Sequence, residues 1–481
     1  MGAEAPIEHD LRWPVVSLAE IAIKIGSGAT PKGGADAYLP SRTRFALVRS
    51  QNVFDRRFDH DGLAFISDEQ AGGLRGVVLQ PDDILLNITG DGITFGRACM
   101  APKDVFPACV NQHVAIIRIN PQRADAGYVL AFLTHRDVKS YIESFNAGGS
   151  RRAITKGHIE SFRLPLPPIP EQRAIAHILG TLDDKIELNR RMNETLESMA
   201  RVLFKSWFVD FLPVRANMEA RNRKALTQTG DPVRAKAEDR DPLPAPQSDA
   251  ARQAGGLPKP LADLFPDSFE DSELGEIPKG WRVAPLPEVI DVNPIRALRK
   301  GVEAPYLDMA NMPTQGHSPD DVLDRAFSSG MRFVNGDTLV ARITPCLENG
   351  KTAFVDFLKA GQVGWGSTEY IVLRPKPPLP DEFAYCLARS TEFRDFAIQS
   401  MTGSSGRQRV PAESLSHFRV VATPKSIAES FGQLTKPLFA RSSAATKEGR
   451  TLAALRDTLL PKLISGELRA PCVKSFLEQR S

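Results

Sequence analysis

Basic and amide side chains recur in this chain inside loops that also carry glycine, and that combination has a definite chemistry. Guanidinium and ammonium groups bind phosphate or the acceptor edge of guanine, while Asn and Gln amides match the edge of adenine. In the N-terminal part, GSGATPKGG offers Lys32, RSQN offers Arg49, Gln51 and Asn52, TGDGITFGR offers Arg97, and NAGGSRRAITK offers Arg151, Arg152 and Lys156. Further on, NPIRALRK offers Arg296, Arg299 and Lys300, Asn311 and Arg342 follow, and GSSGRQR offers Arg407, Gln408 and Arg409. All are candidate contacts to double-stranded DNA.

Other chemistries lack their residues. No GxGxxG follows a strand-like run, no GxxxxGK[ST] loop occurs, and the NPPF or DPPY tetrapeptides with which amino-methyltransferases grip an extruded base are missing. HExxH, GxSxG and Cys/His ligand clusters are missing too. The five cysteines (Cys99, Cys109, Cys346, Cys386 and Cys472) have no CxxC spacing, so reduced thiols and no metal site are expected. The pairs Asp82–Asp83 and Asp183–Asp184 read as caps or solvated helix charges. The chain is therefore expected to hold no catalytic residue and no cofactor. A methyltransferase or nuclease with a degenerate motif is the alternative reading, and a coiled-coil adaptor that binds only proteins is a third.

The elements that must position these loops come in two copies. Arg118, Arg151, Phe162 and Pro168 recur as Arg374, Arg407, Phe418 and Pro424, and Ile154 and Ile159 recur as Val410 and Leu415, all at the constant offset that carries His113 onto Glu369. His113 and Glu369 differ in chemistry and adjoin strand-like runs, so they read as structural or loop residues. Upstream the register drifts: DDILLNIT (82–89) resembles GDTLVARIT (336–344), and WPVVSLAEI at Trp13 resembles WRVAPLPEV at Trp281. A period this long is a duplicated domain and not a solenoid repeat. Short β-like runs mixed with Gly-rich loops and a helical stretch give each copy an α+β character.

Each copy is followed by a long helical pattern. After the four prolines of LPLPPIPEQ, the seam Ile178, Leu182, Lys185, Asn189, Met192, Leu196, Met199 and Leu203 alternates steps of four and three. The second helix repeats it with Leu434, Leu438, Leu452, Leu455 and Leu459, ending near Pro461. A narrow stripe of this kind needs a partner helix, and the other copy is the nearest equivalent. Lys185 and Asn189 would fix the register of that pair. Trp207, with Phe204 and Phe208, reads as core packing at the end of the first helix. The helix from Ala174 to about Phe208 would be on the order of 50 Å long. Proline, alanine and mixed charge mark 213–275 as a flexible or partly extended linker.

The net charge of +3 over 481 residues assigns no partner by itself. The apolar runs are short and charge-interrupted and no leader pattern opens the chain, so no membrane span and a cytoplasmic setting are expected.

The segment LPLPPIPEQRAIAHILGTLDDKIELNRRMNETLESMARVLFKSWFVDF (164–211), together with LFPDSFEDSELGEIPKGW (264–281) and LRDTLLPKLISGEL (455–468), resembles the specificity subunit of type I restriction-modification systems. The resemblance implies target recognition domains over 1–167 and 276–424. It implies a central spacer helix over 168–212, a linker over 213–275, a C-terminal spacer helix over 425–468 and a tail over 469–481. The two helices would pack as an antiparallel coiled coil with pseudo-twofold symmetry. Each domain would read one half of a bipartite, asymmetric DNA site, and the helices would set the gap. Two methyltransferase subunits, and restriction subunits in the full complex, would carry the catalysis and its S-adenosylmethionine, ATP and magnesium.

Overall fold

A computed structural model describes residues 13–74, 76–90, 94–145, 152–228, 257–319, 321–404 and 406–470. The chain divides into two compact units, Met1–Leu188 with Glu448–Ser481, and Asn189–Lys447.

In the first unit, a four-stranded antiparallel sheet has the order Ala22–Ser27, Val114–Ile119, Ile84–Asn87 and Ala98–Met100. Successive side chains of a strand point to opposite faces, and here both faces are covered. Ile84, Leu86, Ala115 and Ile117 join a core with the helix Ala126–Leu133 and with Ile175, Ile178 and Leu179. Leu85, Ile116 and Cys99 face a second sheet of Ala108–Val110, Phe45–Val48 and Ala64–Ile66. The strand Val15–Ser17 pairs with Arg163–Pro165 and closes the domain just before the central helix Ile169–Phe208.

The second unit repeats this plan. Ile290–Val292, Tyr370–Pro375, Thr338–Ala341 and Thr352–Phe354 form the corresponding sheet, and Arg282–Pro285 with Arg419–Ala422 the corresponding closure. Single hydrogen bonds recur as well. Leu18 N donates to Phe162 O at 2.9 Å, as Leu286 N does to Phe418 O at 2.9 Å. Asp83 accepts from Gln80 N and pairs with Arg118, as Asp337 accepts from Val334 N and pairs with Arg374. The second sheet differs: Leu323–Ala326, Glu303–Leu307, Gly364–Gly366 and Met331–Phe333 make four strands where the first unit has three.

The central helix starts among prolines, whose missing N–H groups need no partner in a first turn. Glu171 sits there, 7% exposed, and accepts from Arg469 Nε at 3.2 Å and Ala470 N at 2.9 Å. Burial pushes its carboxyl up, but these donors outweigh it and hold it below its ordinary value.

The helices pair antiparallel within each unit. In the first, Asp183 meets Arg456 at 2.7 Å and Lys185 meets Glu448 at 3.6 Å. In the second, Asn193 bonds Ser442 and Thr446, and Phe204 packs on Phe431. The seam runs one position off the sequence-based one in places. Ile178, Leu182 and Asn189 are buried, and Met192, Leu196, Leu203, Leu438, Leu452 and Leu459 partly so, but Met199 is 53%, Leu434 41% and Leu455 39% exposed. Ala200 and Thr435, both buried, take the places of Met199 and Leu434, Arg456 turns inward beside Leu455 to Asp183, and Ser442 is buried further along the seam. Small and hydroxyl side chains let backbones approach closely, so choosing the largest apolar residue picks the neighbour on the outside. Lys185 is also not a buried register residue, since its side chain is 43% exposed and salt-bridged.

Two boundaries differ from the sequence reading. The segment from 213 begins as the helix Leu212–Gln228, not as a flexible linker: Phe211 turns the chain at φ 52°, and Pro213 falls in the first helical turn. Asn217 then donates to the Ala262 and Phe265 carbonyls, and a short helix Lys259–Ala262 and a hairpin from Phe269 follow. Residues 229–256 of that linker lie outside the described residues. The C-terminal helix Lys425–Ser465 continues through Pro461, because Leu460, Leu463 and Ile464 are buried in the first unit's core and outweigh the lost backbone bond. It ends at Gly466, φ 79°, the left-handed geometry that glycine adopts most readily.

Trp207 is 1% exposed and packs on Phe265 and Phe431, 5.0 and 6.0 Å between ring centres, which makes it a core residue of the second unit.

Candidate nucleic-acid interface

In both copies the same backbone crossing brings two of the basic loops together. In the first unit Thr89–Gly90 pairs with Arg152–Ala153, and Ile154 N donates to Ile88 O. In the second, Ile343 bridges Arg409, and Val410 N donates to Arg342 O at 2.8 Å. The loop after the third strand and the loop before the closing strand thus meet at one place, which the sequence treated as separate candidates.

The second unit's crossing is a charged cluster. Glu369 accepts from Arg409 Nε at 2.9 Å and Nη2 at 2.8 Å, and from Arg342 Nε at 3.3 Å. Hydrogen bonds from Arg409 chiefly, then from Arg342, hold its carboxyl below the usual range despite partial burial. The two guanidinium groups remain 42% and 29% exposed, so they are fixed in place and still accessible. Arg407 beside them is exposed, and Gln408 binds Thr344 through its backbone.

At the matching place in the first unit the described side chains are Thr89 and His113. His113 Nδ1 lies 2.6 Å from Thr89 Oγ1, and its Nε2 lies 3.2 Å from Gln112. Arg151 lies outside the described residues, and only the backbone of Arg152 is described. Lys156 is exposed and pairs with Glu160 at 3.4 Å, and Lys32 stands exposed in its turn.

A second group in the first unit surrounds the hairpin Val53–Phe58. Arg57 and Arg97 lie 4.1 and 4.4 Å from the centre of the Phe54 ring, and Arg49 lies 5.5 Å from that of Tyr38. Such stacking fixes a guanidinium on its flat face, and the edge of Arg57 is further held by Asp59 at 2.9 Å. Arg49 and Gln51 both reach the Gly62 carbonyl. Sequence reasoning missed Arg57 and the aromatic platforms; the run VFDRRF, alternating rings with basic residues, is the signal that could have found them.

Two candidates are absorbed by the fold. Asn52 is wholly buried: its amide donates to the Asp59 and Asp61 carbonyls at 3.0 and 3.1 Å, and its oxygen accepts from Arg49 N at 3.0 Å. An Asn so occupied tightens a turn and has nothing left for a base. Arg296 turns inward to Asp337, at 3.0 Å, and is 21% exposed, because that buried carboxylate needs counter-charges from both Arg296 and Arg374. Arg299 and Lys300 stay exposed, and Asn311 is half-buried.

Among the described residues no cluster of three or more His, Cys, Asp or Glu could hold a metal ion, and no helix is long and apolar enough to cross a membrane.

Comparison with known proteins bears on this arrangement. Residues 66–198 match the family model described as the type I restriction modification DNA specificity domain. The chain is similar to the type I restriction enzyme HindI specificity subunit of Haemophilus influenzae, 22% identical over 88% of this chain and 94% of that one. It is also similar to a putative type I restriction enzyme MjaX specificity subunit of Methanocaldococcus jannaschii, 35% identical over 38% of this chain and 40% of that one. In fold it matches the crystal structure of a type I restriction-modification S subunit from M. genitalium, with a TM-score of 0.52 and 13% identity, over 95% of this chain and 97% of that one.

Proposed function

From the premise that this chain belongs to the specificity subunits of type I restriction-modification systems, we propose that it selects DNA by reading a bipartite, asymmetric site, one half with each unit. The observation that carries this reading is the repeated loop crossing. One backbone junction, repeated in its hydrogen bonds, presents Arg342 and Arg409 on Glu369 in one copy and Thr89 beside His113 in the other. A shared frame with different side chains suits two readers of different sequences.

The readers use more than the loop crossings. Arg57, Arg97 and Arg49 on their aromatic platforms, with Gln51, contribute to one half-site, and Arg407, Arg299 and Lys300 to the other. Lysines and single exposed arginines bind phosphate and set affinity; paired or stacked guanidinium groups meet base edges and set selectivity. The paired helices set the gap between the half-sites and dock two methyltransferase subunits. Methylation and cleavage, with S-adenosylmethionine, ATP and magnesium, belong to the methyltransferase and restriction subunits, and the complex works in the cytoplasm.

The test is to co-express the chain with its methyltransferase subunits in a methylation-free host and map methylated adenines across the chromosome. A single motif with two fixed parts separated by a constant gap is expected; methylation without such a motif would overturn the reading. Saturable binding of S-adenosylmethionine to the isolated chain would favour an enzyme instead.

A further inference from the structure

Each unit ties its recognition surface to the central helix through a buried arginine. In the first unit Arg56, at φ 59°, forms the tip of the hairpin Val53–Phe58, which follows directly on Arg49–Asn52 and carries the Phe54 platform. Its side chain, 7% exposed, turns away from that platform. Nε donates to Thr134 Oγ1 at 2.7 Å, and Nη1 lies 3.3 Å from Asp183 on the central helix. Asp183 is shared with Arg456 of the C-terminal helix at 2.7 Å, so one carboxylate joins hairpin, central helix and C-terminal helix. The Arg56 N–H donates to Ala98 O and the Asp55 carboxylate accepts from Ala98 N, at 2.8 and 3.2 Å, leaving the tip no freedom to swing.

The second unit reaches the same end with other residues. Arg389, 7% exposed, uses all five of its N–H donors. Four go to the carbonyls of Thr314, Gly316, Gly350 and Thr352, and Nε donates to Tyr385 Oη at 3.1 Å. Tyr385 Oη donates at 2.9 Å to Glu197, a buried carboxylate of the central helix. Gly350 ends the loop that begins just after Arg342 and Ile343, so the chain from Glu197 fixes the segment adjoining the basic cluster.

Buried ionic groups add little net stability compared with apolar packing, but they penalise every arrangement that leaves a charge unpaired. They therefore suit a task of registration. We infer that Asp183 and Glu197 are the seats on which the two recognition domains are keyed to the central helix, with Arg56 and Arg389 as positioning residues that hold the base-reading loops at a fixed setting relative to it. This rests on the two-reader function proposed above.

The experiment is the same chromosomal methylation map, made with the assembled complex carrying Asp183→Asn or Glu197→Gln beside the unaltered chain. Asp183→Asn should raise methylation at sites with a substituted base in the half-site read by the first unit, or a gap altered by one base pair, by about tenfold over the unaltered complex. The other half-site should stay strict, and Glu197→Gln should give the mirror result. A merely structural role would lower methylation everywhere without changing which bases are accepted. Uniform loss, or an unchanged motif, therefore overturns the inference. Should Asp183→Asn leave no folded complex, Arg56→Lys, which keeps the charge and loses the fork, is scored by the same criteria. If the unaltered complex itself yields no bipartite motif, it is the two-reader function that fails.

Discussion

Replacing Glu369 with Gln separates two effects that a simple count of charges would merge. The carboxylate holds Arg409 through two nitrogens and Arg342 through one, at 2.8 to 3.3 Å. If Glu369 were only a negative charge near DNA, its removal would strengthen all binding. At about 7 Å from a phosphate in water the repulsion is worth about 0.6 kcal/mol, roughly threefold in affinity. The pre-organising effect has the opposite sign for the specific site. An arginine side chain carries about 2 kcal/mol of rotamer entropy, and two such groups are now held by one carboxylate. Discounting for their partial exposure, freeing both adds about 1.5–2.5 kcal/mol to the cost of specific binding, roughly 10- to 70-fold. Non-specific affinity should thus rise about threefold while specific affinity falls by a net of roughly five- to twentyfold. Fluorescence anisotropy of the assembled complex on a duplex bearing the mapped site, and on a scrambled duplex, at two salt concentrations measures both. A parallel rise on both duplexes would refute the reasoning, because it would mean that the arginines gain nothing from being held.

Other outcomes follow from the same contacts. Asn52→Ala should behave as a folding defect, lowering stability by about 2–3 kcal/mol through its three lost hydrogen bonds; a normal melting temperature with lost DNA binding would contradict the assignment of this side chain to the turn. Trp207→Ala should cost about 3–5 kcal/mol, read as a lower thermal transition with the aromatic cluster exposed. The Glu171 carboxyl is held below its ordinary value of 4.5, so its stabilising bonds are fully present above that pH and are lost as the pH falls through the lower folded-state value. Glu171→Gln should therefore be less stable than the unaltered chain at neutral pH, with the difference shrinking as the pH falls below 4.5 in thermal unfolding; a difference that grows on acidification would reverse the sign.

The repeat was legible because a constant offset survives wherever two copies must keep the same packing. Phe162 with Phe418 and Arg118 with Arg374 occupy matching core and ion-pair positions. The helices were legible for the same reason, but their exact faces were not. Ala200, Thr435 and Ser442 fill the seam because little space is available there, which a search for large apolar residues does not detect. Pro213 looked like a break and is a helix start, since proline is disfavoured in helix interiors and tolerated in the first turn. Among the DNA candidates, residue type put Asn52 and Arg296 beside Arg342, Arg407, Gln408 and Arg409 and could not tell that the first two turn inward, because the same donors can satisfy a buried carbonyl or carboxylate. Arg57 was missed because its environment, the Phe54 ring, forms only when the hairpin folds.

The most direct test of the two readers and their spacer is to delete seven residues, two helical turns, from the middle of one long helix and map the methylated sites of the resulting complex. Both half-sites should keep their bases while the gap between them changes length. A motif whose gap is unchanged, or whose bases change instead, would contradict the division of the chain into parts that read DNA and parts that measure it.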